Sequence, residues 1–286
     1  MLRGTPSTHV QPVLCGLRSD HLPQARSLSK ALNWPYRLQD WQSALDLGEG
    51  LSVECGGRVC ATALWWLWGG EFATCGMIIV DAGSQRMGLG TLLMDERLRR
   101  TAGRSVILRS TEAGLRLYER LGFKPIGRVH QHQAVLSAAS AARPGLPVRP
   151  LSAGDTGALR RLDHLACGLD RTRLLNALLA KGKLLVTERG GEVTGYAAAR
   201  RWGRGIVVGP VVASEPDAAR ALITAALADH PGEFVRVDVT ESSGLSAWLE
   251  SAGLPRVDGV TSMVRGTLPP VSPQVPTCAL YSQSIG

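Results

Sequence analysis

A glycine-bearing loop at residues 85–90 carries the clearest chemical signal in the sequence. It reads QRMGLG, follows the apolar run Met77–Val80, and opens a helical pattern. Glycine lets a backbone approach a ligand without a Cβ in the way. The first amides of a helix have no intrahelical partner and lie at the positive end of its dipole. Such a loop is typical of a pyrophosphate site, with Arg86 as a countercharge.

Other interpretations of this loop differ in what they require. A dinucleotide-binding loop has G-x-G-x-x-G after the first strand and an acidic residue about twenty positions later. Here the loop follows four predicted strands and has no third glycine. A P-loop needs Gly-Lys-Ser/Thr, which is absent. A plain strand-turn-helix, with glycine for packing alone, remains open for the loop taken by itself.

A second motif lies downstream, where residues 117–123 read LYERLGF. Together the two motifs resemble those of the GNAT acetyltransferase superfamily, in this order and at this separation. The resemblance covers about residues 14–135 and, more loosely, 147–265. It implies an α/β (α+β) chain of tandem GNAT folds, each a mixed, mostly antiparallel central sheet flanked by helices.

The resemblance also implies roles for particular residues. The edge of the strand at Ile78, Ile79 and Val80 would pair with the pantetheine arm of acetyl-CoA. The cofactor would be held further by the loop and by two residues after the next strand: Gln85, Arg86, Met87, Gly88, Leu89, Gly90, Thr91, Ser110 and Thr111. Tyr118 would protonate the leaving thiolate, since a phenol of pKa about 10 suits that step.

A general base is harder to assign. Many family members use a sheet carboxylate, but the strand 105–109 offers none. Glu71, before the cofactor strand, is the first candidate for a catalytic base, and Glu112 is the second. Glu54 and Asp40 are weaker candidates, and an amine that arrives deprotonated needs no dedicated base.

The chain divides into segments by composition and by internal repetition. Residues 1–140 show the order β-α-α-β-β-β-α-β-α-β and form the predicted catalytic domain. A linker rich in proline and glycine at 141–147 precedes a second GNAT-like domain at 147–266. The segment 244–253 is similar to 114–122, about 130 positions earlier, which indicates a duplicated domain. Four prolines predict a disordered tail at 267–286.

The second copy departs from the cofactor pattern. After its corresponding strand come Glu215, Pro216 and Asp217, with no glycine pair, and the two carboxylates would repel a pyrophosphate. Trp248 stands near the position of Tyr118, and an indole is unsuited to proton donation. We therefore expect a degenerate domain that binds no acetyl-CoA.

Aromatic residues crowd the region where this superfamily builds its acceptor site. An indole face can hold an ammonium group, although ordinary core packing is an equally simple interpretation. Alternation along the strand 60–68 would send Trp66 and Trp68 to one face and Trp65 to the other. The set comprises Trp34, Tyr36, Trp41, Trp65, Trp66 and Trp68.

Composition favours a globular protein of ordinary class. The 286 residues carry a net charge of +8, but the basic residues are scattered and not interleaved with aromatics, so nucleic acid is not an expected partner. No signal peptide or membrane span is evident, and six cysteines without metal-type spacing favour free thiols, no metal and a cytoplasmic location. Three roles of the second domain stay open: covering the acceptor pocket, mediating a homodimer, or stabilising the first domain.

The sequence thus predicts a cytoplasmic N-acetyltransferase that moves an acetyl group from acetyl-CoA to a primary amine, on a small molecule or a protein. The alternative is a non-catalytic acyl-CoA-binding sensor or interaction module.

Overall fold

The computed structural model describes residues 11–137 and 146–286. The first range follows the predicted order of elements: β1 (Val13–Gly16), α1 (Leu22–Ala31), α2 (Leu38–Leu47), β2 (Glu49–Cys55), β3 (Arg58–Trp68), β4 (Phe72–Val80), α3 (Leu89–Arg100), β5 (Ser105–Ser110), α4 (Leu115–Arg120) and β6 (Lys124–Val135). The predicted hairpin turn is present, since Gly56 and Gly57 both have positive φ, 61° and 74°.

The second range repeats this order. It contains β7 (Val148–Pro150), α5 (Thr156–Cys167), α6 (Thr172–Lys181), β8 (Lys183–Arg189), β9 (Glu192–Trp202), β10 (Gly205–Ala213), α7 (Pro216–Leu227), β11 (Phe234–Thr240), α8 (Ser246–Ser251), β12 (Arg256–Arg265) and a further strand, β13 (Thr277–Ala279). The two halves are thus copies of one α/β unit, and the predicted duplication is visible in the elements themselves.

The strands of the described residues form a single sheet that runs through both halves. Its order is β1-β2-β3-β4-β5-β12-β6-β11-β13-β10-β9-β8-β7. Only β4–β5 and β10–β11 pair in parallel, and the other pairs are antiparallel. This mixed, mostly antiparallel sheet with flanking helices confirms the predicted fold class.

The last strand of each half lies against the other half. β12 pairs with β5, with Met263 opposite Leu108, while β6 pairs with β11, with Val237 opposite His132. The boundary between 1–140 and 147–266 therefore divides the sequence but not the sheet. Of the predicted linker, only residues 146 and 147 are described.

Helices cover both faces of the sheet. On one face, α1, α2, α5 and α6 share a single apolar core that contains Trp66, Trp68 and Trp202. On the other face, α3 covers the first half and packs near Trp65, while α7 and α8 cover the second half. The alternation predicted for the three tryptophans of β3 is confirmed.

The prediction of a disordered tail at 267–286 is wrong. Thr277–Ala279 forms β13, in which Ala279 lies opposite both Val211 of β10 and Val239 of β11. The prolines lead an extended segment along the protein, where Ser272 N–H donates to the Leu165 carbonyl at 2.7 Å. The buried side chains of the segment include Cys278, Leu280, Tyr281 and Ile285.

The expectation of free thiols fails for one pair. Cys55 and Cys60 flank the β2–β3 turn with a Cα–Cα distance of 6.1 Å and form a disulfide. Cys15, Cys75, Cys167 and Cys278 are free thiols. Among the described residues, every helix is too short or too polar to cross a membrane.

Candidate functional site

The sheet opens between β4 and β5. The two parallel strands pair from Phe72 opposite Ser105 to Cys75 opposite Leu108, and no further. Beyond that point β4 bends at Met77, whose φ is 51°, while Ile79 and Val80 continue to pair with β3 on the other side. The edge of Ile78–Val80 that faces β5 is thereby left free, as the pantetheine prediction requires.

The loop at 85–90 presents its amides outward. Arg86 and Gly88 have positive φ, 66° and 77°, and Gly88 caps the amino end of α3. Within the described ranges, the amides of residues 86–91 donate no hydrogen bond to the protein, while Leu92 N–H is the first to bond, to the Gly88 carbonyl at 2.9 Å. A row of unpaired amides at a helix start is an arrangement that favours anions, as the pyrophosphate prediction requires.

The loop, the free edge and the second motif are neighbours. A Cβ placed on Gly90 would lie 3.6 Å from Leu117 of α4 and 3.9 Å from Val80 of β4. These are ordinary contact distances, so the fold itself would accept alanine at position 90. The absence of a side chain there leaves room beside the unpaired amides.

Tyr118 lies on α4 at the edge of the opening. Its side chain is 8% exposed and packs edge-on against Phe123 at a ring-centroid distance of 5.9 Å. Burial raises the pKa of the Tyr118 hydroxyl, with the nearby Cys75 thiol acting in the same direction, so the phenol keeps its proton at neutral and mildly alkaline pH.

Ser110 and Thr111, the two cofactor candidates after β5, differ in placement. The Ser110 hydroxyl is buried and donates to the Thr111 carbonyl at 2.7 Å, which occupies its proton. Thr111 borders the cavity described next.

A cavity of about 350 Å³ extends from the β4–β5 opening to the space between the halves. One end is bordered by Met77, Ile78 and Tyr118, and the other by residues of both halves and of the C-terminal segment. The latter were not predicted from the sequence: Gln131, Gln133, Trp202, Arg204, Phe234, Arg236, Asp258, Gln283 and Ser284. These residues come together because β6 and β12 pair with the other half and because the segment 267–286 is ordered. No local sequence pattern predicts either feature.

The structure does not place Glu71 among the lining residues of this cavity, and its role as the base stays a prediction. Glu71 is exposed in the turn before β4. The free edge of β4 begins at Ile78, near the carboxyl end of the strand, whereas Glu71 precedes its amino end. Even Gly76, which lies two residues before that edge, is five residues from Glu71, or roughly 16 Å along an extended chain. The sequence showed that Glu71 is next to this strand, but it did not show that Glu71 is at the end farther from the predicted cofactor edge.

The other candidate bases also lie outside the cavity lining. Glu112 is exposed. The buried Asp40 carboxylate accepts from the Arg37 side chain and from Gly203 N–H at 2.9 Å. Glu54 lies 3.3 Å from His21, and with Cys15 these two place potential metal-ligating atoms within 4.8 Å of one another, a grouping that spacing did not indicate. Among the described lining residues, Asp258 supplies the carboxylate.

Most of the predicted aromatic cluster is core. Trp41 and Trp66 are fully buried, and their indole N–H groups donate to Ser29 Oγ at 3.2 Å and to the Ala44 carbonyl at 2.9 Å. Trp65 and Trp68 are also buried. Trp34 and Tyr36 alone of the set line the cavity, where Trp202 joins them from the second half.

The corresponding positions of the second half are occupied differently. β10 and β11 pair in parallel from Ile206 to Val208, and beyond that point β13 lies between them. At the start of α7, the Glu215 carboxylate pairs with Arg189 at 2.7 Å, and Pro216 has no amide hydrogen.

Two family models of the acetyltransferase (GNAT) domain match the chain, one over residues 48–125 and one over residues 159–275. The chain belongs to the GNAT acetyltransferase superfamily. Each match falls in one structural half, so the protein is a tandem GNAT protein, and the second half is recognisable as a GNAT domain although it lacks the glycine loop.

Known relatives are similar over most of this tandem GNAT chain. The uncharacterized N-acetyltransferase YitH of Bacillus subtilis is 25% identical over 232 residues, which cover 79% of this chain and 81% of YitH. The crystal structure of a candidate acetyltransferase from Pyrococcus horikoshii has a TM-score of 0.80 at 18% identity and covers 100% of this chain and 99% of its own. A tandem GNAT protein from the clavulanic acid biosynthesis pathway has a TM-score of 0.64 at 14% identity, with 89% and 98% covered.

Proposed function

We propose that this protein transfers an acetyl group from acetyl-CoA to a primary amine, and that the transfer takes place in the first half. The unpaired amides of residues 86–91 would bind the pyrophosphate. The free edge of Ile78–Val80 would pair with the pantetheine arm. The acceptor amine would enter from the cavity between the halves.

The single observation that carries this proposal is the juxtaposition of three features. Around Gly90, the unbonded helix-start amides lie beside the unpaired strand edge at Val80 and beside α4, the helix that carries the protonated phenol of Tyr118. Ile78 of the same edge and Tyr118 border one cavity. A site for an inert anion would need only the amides. A thioester carrier needs all three, since its phosphates, amide arm and leaving sulfur differ in chemistry.

The reaction follows from these groups. The neutral amine attacks the thioester carbonyl, and a backbone amide of the β4 edge stabilises the oxyanion. The C–N bond forms, the C–S bond breaks, and the Tyr118 hydroxyl gives its proton to the departing thiolate. The surplus proton of the amine passes to water in the cavity and restores the phenol. The only lining carboxylate among the described residues is Asp258, so this scheme uses an amine that arrives deprotonated.

The test is turnover in Tyr118→Phe, measured as free thiol released from acetyl-CoA with a panel of primary amines. We expect kcat to fall about 100-fold, the usual contribution of a general acid, with unchanged acetyl-CoA affinity by calorimetry. Because burial raises the Tyr118 pKa, the wild-type rate should not decline through loss of this proton up to about pH 10. Equal rates in the two proteins would contradict the assignment of Tyr118.

The second candidate is an acyl-CoA-binding sensor without turnover. Arg109 favours it, because this side chain on β5 stands where a sheet carboxylate would be needed and lines the cavity. Tight coenzyme A binding with no thiol release for any amine would select the sensor. A cytoplasmic location, a homodimer and the absence of nucleic-acid and membrane partners stay predictions from the sequence.

A further inference from the structure

The cavity between the halves has walls of a definite chemistry. Besides Tyr118, four aromatic side chains from both halves of the chain line it: Trp34, Tyr36, Trp202 and Phe234. Uncharged polar side chains also line it, among them Gln131, Gln133, Gln283 and Ser284. Such a site accepts an apolar ring or chain and fixes it through a few uncharged polar contacts.

The C-terminal segment supplies the wall nearest the free strand edge. The Ser284 hydroxyl is hydrogen-bonded to the Tyr36 hydroxyl at 2.8 Å. The Ser284 backbone packs on Gly76, where an added Cβ would lie 2.6 Å from the Ser284 carbonyl oxygen. The Ile285 carbonyl accepts from the Thr74 hydroxyl at 2.7 Å. The segment is thus fitted against β4 one residue before its bend.

Amide side chains extend this wall as a chain of hydrogen bonds. Gln283 Nε2 donates to Asp238 at 3.2 Å and to Gln131 at 3.3 Å, and Gln131 Nε2 donates to Gln133 at 3.0 Å. Among the described residues, this leaves Gln283 Oε1 as a free acceptor and Gln133 Nε2 as a free donor. A hydroxyl or amide group of a ligand can bond to both kinds of atom.

The charges of the lining disfavour a second cation on the ligand. Arg236 is neutralised by Asp238, with Nε 3.0 Å from both carboxylate oxygens. Arg109 and Arg204 have no carboxylate partner among the described residues, and Asp258 is the single lining acid. A net positive lining favours the neutral, nucleophilic form of an amine and repels polyamines.

We propose that the acceptor is a small monoamine with an aromatic or apolar body and one uncharged hydrogen-bonding group, which Gln283 and Ser284 of the C-terminal segment recognise. This inference rests on the proposed transferase function. It gives the ordered segment a role in acceptor selection, beyond its role in filling the second half of the sheet.

The experiment compares four primary amines as acceptors of the wild-type protein. Tyramine has the predicted ring and hydroxyl, 2-phenylethylamine lacks the hydroxyl, spermidine is a polycation, and 4-aminobutyrate lacks the apolar body and has a carboxylate in its place. We expect the highest kcat/KM for tyramine, about tenfold less for 2-phenylethylamine, and little turnover of the other two.

Variants of the segment then test the recognition itself. Gln283→Ala and Ser284→Ala should each raise the KM for tyramine about three- to tenfold and leave kcat, the KM for 2-phenylethylamine and coenzyme A affinity unchanged. The matched control is Gln274→Ala, an exposed glutamine of the same segment outside the cavity lining.

The outcomes separate this inference from the function on which it rests. Failure to bind coenzyme A or to acetylate any amine overturns the transferase. Turnover with a preference for spermidine or 4-aminobutyrate overturns the acceptor class alone. An unchanged KM for tyramine in both segment variants overturns the role of Gln283 and Ser284.

Discussion

The two halves of the sheet open at the same place and fill the opening differently. In the first half, β4 and β5 separate after Cys75, and the gap leads into a cavity. In the second half, β10 and β11 separate after Val208, and the protein's own β13 lies in the gap. A parallel strand pair that diverges leaves unpaired edges, which are satisfied either by a ligand or by more chain.

The helices that begin beside the two openings also differ: the start of α3 is open to a ligand, and the start of α7 is not. Gly88, with φ of 77°, and the unpaired amides behind it offer a positive site to an anion. Glu215 and Pro216 place a carboxylate and a missing amide hydrogen at the corresponding start of α7. The scaffold is therefore the same in both halves, while among the described residues only the first half combines a glycine of positive φ with unpaired helix-start amides.

The largest expected effect concerns the anchor of the C-terminal segment. Buried Arg171 donates from Nε to Asp163 at 3.1 Å and from Nη1 to the Gly286 carbonyl at 3.0 Å, and Tyr196 also donates to Asp163. Arg171→Leu strands a buried carboxylate, so we expect a loss of about 3–5 kcal/mol in the free energy of unfolding. Urea denaturation measures it.

The control for this substitution is Arg161→Leu, an exposed arginine on α5, the helix that carries Asp163. It should change stability by less than about 0.5 kcal/mol. Similar small effects in both variants would mean that the segment does not depend on the buried ion pair, and that β13 holds its place through strand pairing alone.

Local patterns account for what the sequence predicted well. The glycine loop, the Gly56–Gly57 hairpin and the helix that carries Tyr118 each depend on residues close together in the chain, whose conformational preferences act locally. The same is true of the repeated order of elements. These features fixed the fold class and one end of the site.

Long-range pairing accounts for what could not be predicted. The exchange of β6 and β12 between halves, and the insertion of β13, are choices among strand partners that alternation alone does not distinguish. Prolines between 269 and 276 indicate only that the segment is not helical, and Gly168 makes room for two of them, as a Cβ there would lie 2.8 Å from Pro269. The cavity wall that contains Gln283 and Ser284 exists only because of this strand exchange and the insertion of β13. No local sequence pattern therefore identified these two residues as site candidates.

A second substitution places a carboxylate at the start of α3, as Glu215 does at the start of α7 in the second half. Gly88→Glu places a side chain at positive φ and a carboxylate beside the unpaired amides, where a pyrophosphate would be repelled. We expect coenzyme A affinity to fall at least 100-fold, about 2.7 kcal/mol, by calorimetry. Gly103→Glu is the control, since Gly103 has φ of 80° and is exposed at the far end of α3. Equal affinity in the two variants would contradict the pyrophosphate site.

Hydrogen exchange compares the two openings directly. Amides of residues 78, 80 and 86–91 should exchange about tenfold more slowly when coenzyme A is added at ten times its Kd. Amides of residues 211 and 212 should be slow without ligand and unchanged by it, because β13 already pairs with β10 there. Protection of the β10 amides by coenzyme A would mean that the second half also binds it.

The smallest expected effect comes from Gly90→Ala. The new methyl group meets only ordinary contacts, with Leu117 at 3.6 Å, and alanine favours the first turn of α3, so stability should stay the same or rise by about 0.4–1 kcal/mol. Coenzyme A affinity should fall about five- to tenfold if the diphosphate approaches this backbone closely. An unchanged Kd would place the diphosphate nearer to Arg86 and Gly88. Ligand binding would then not explain why residue 90 is a glycine.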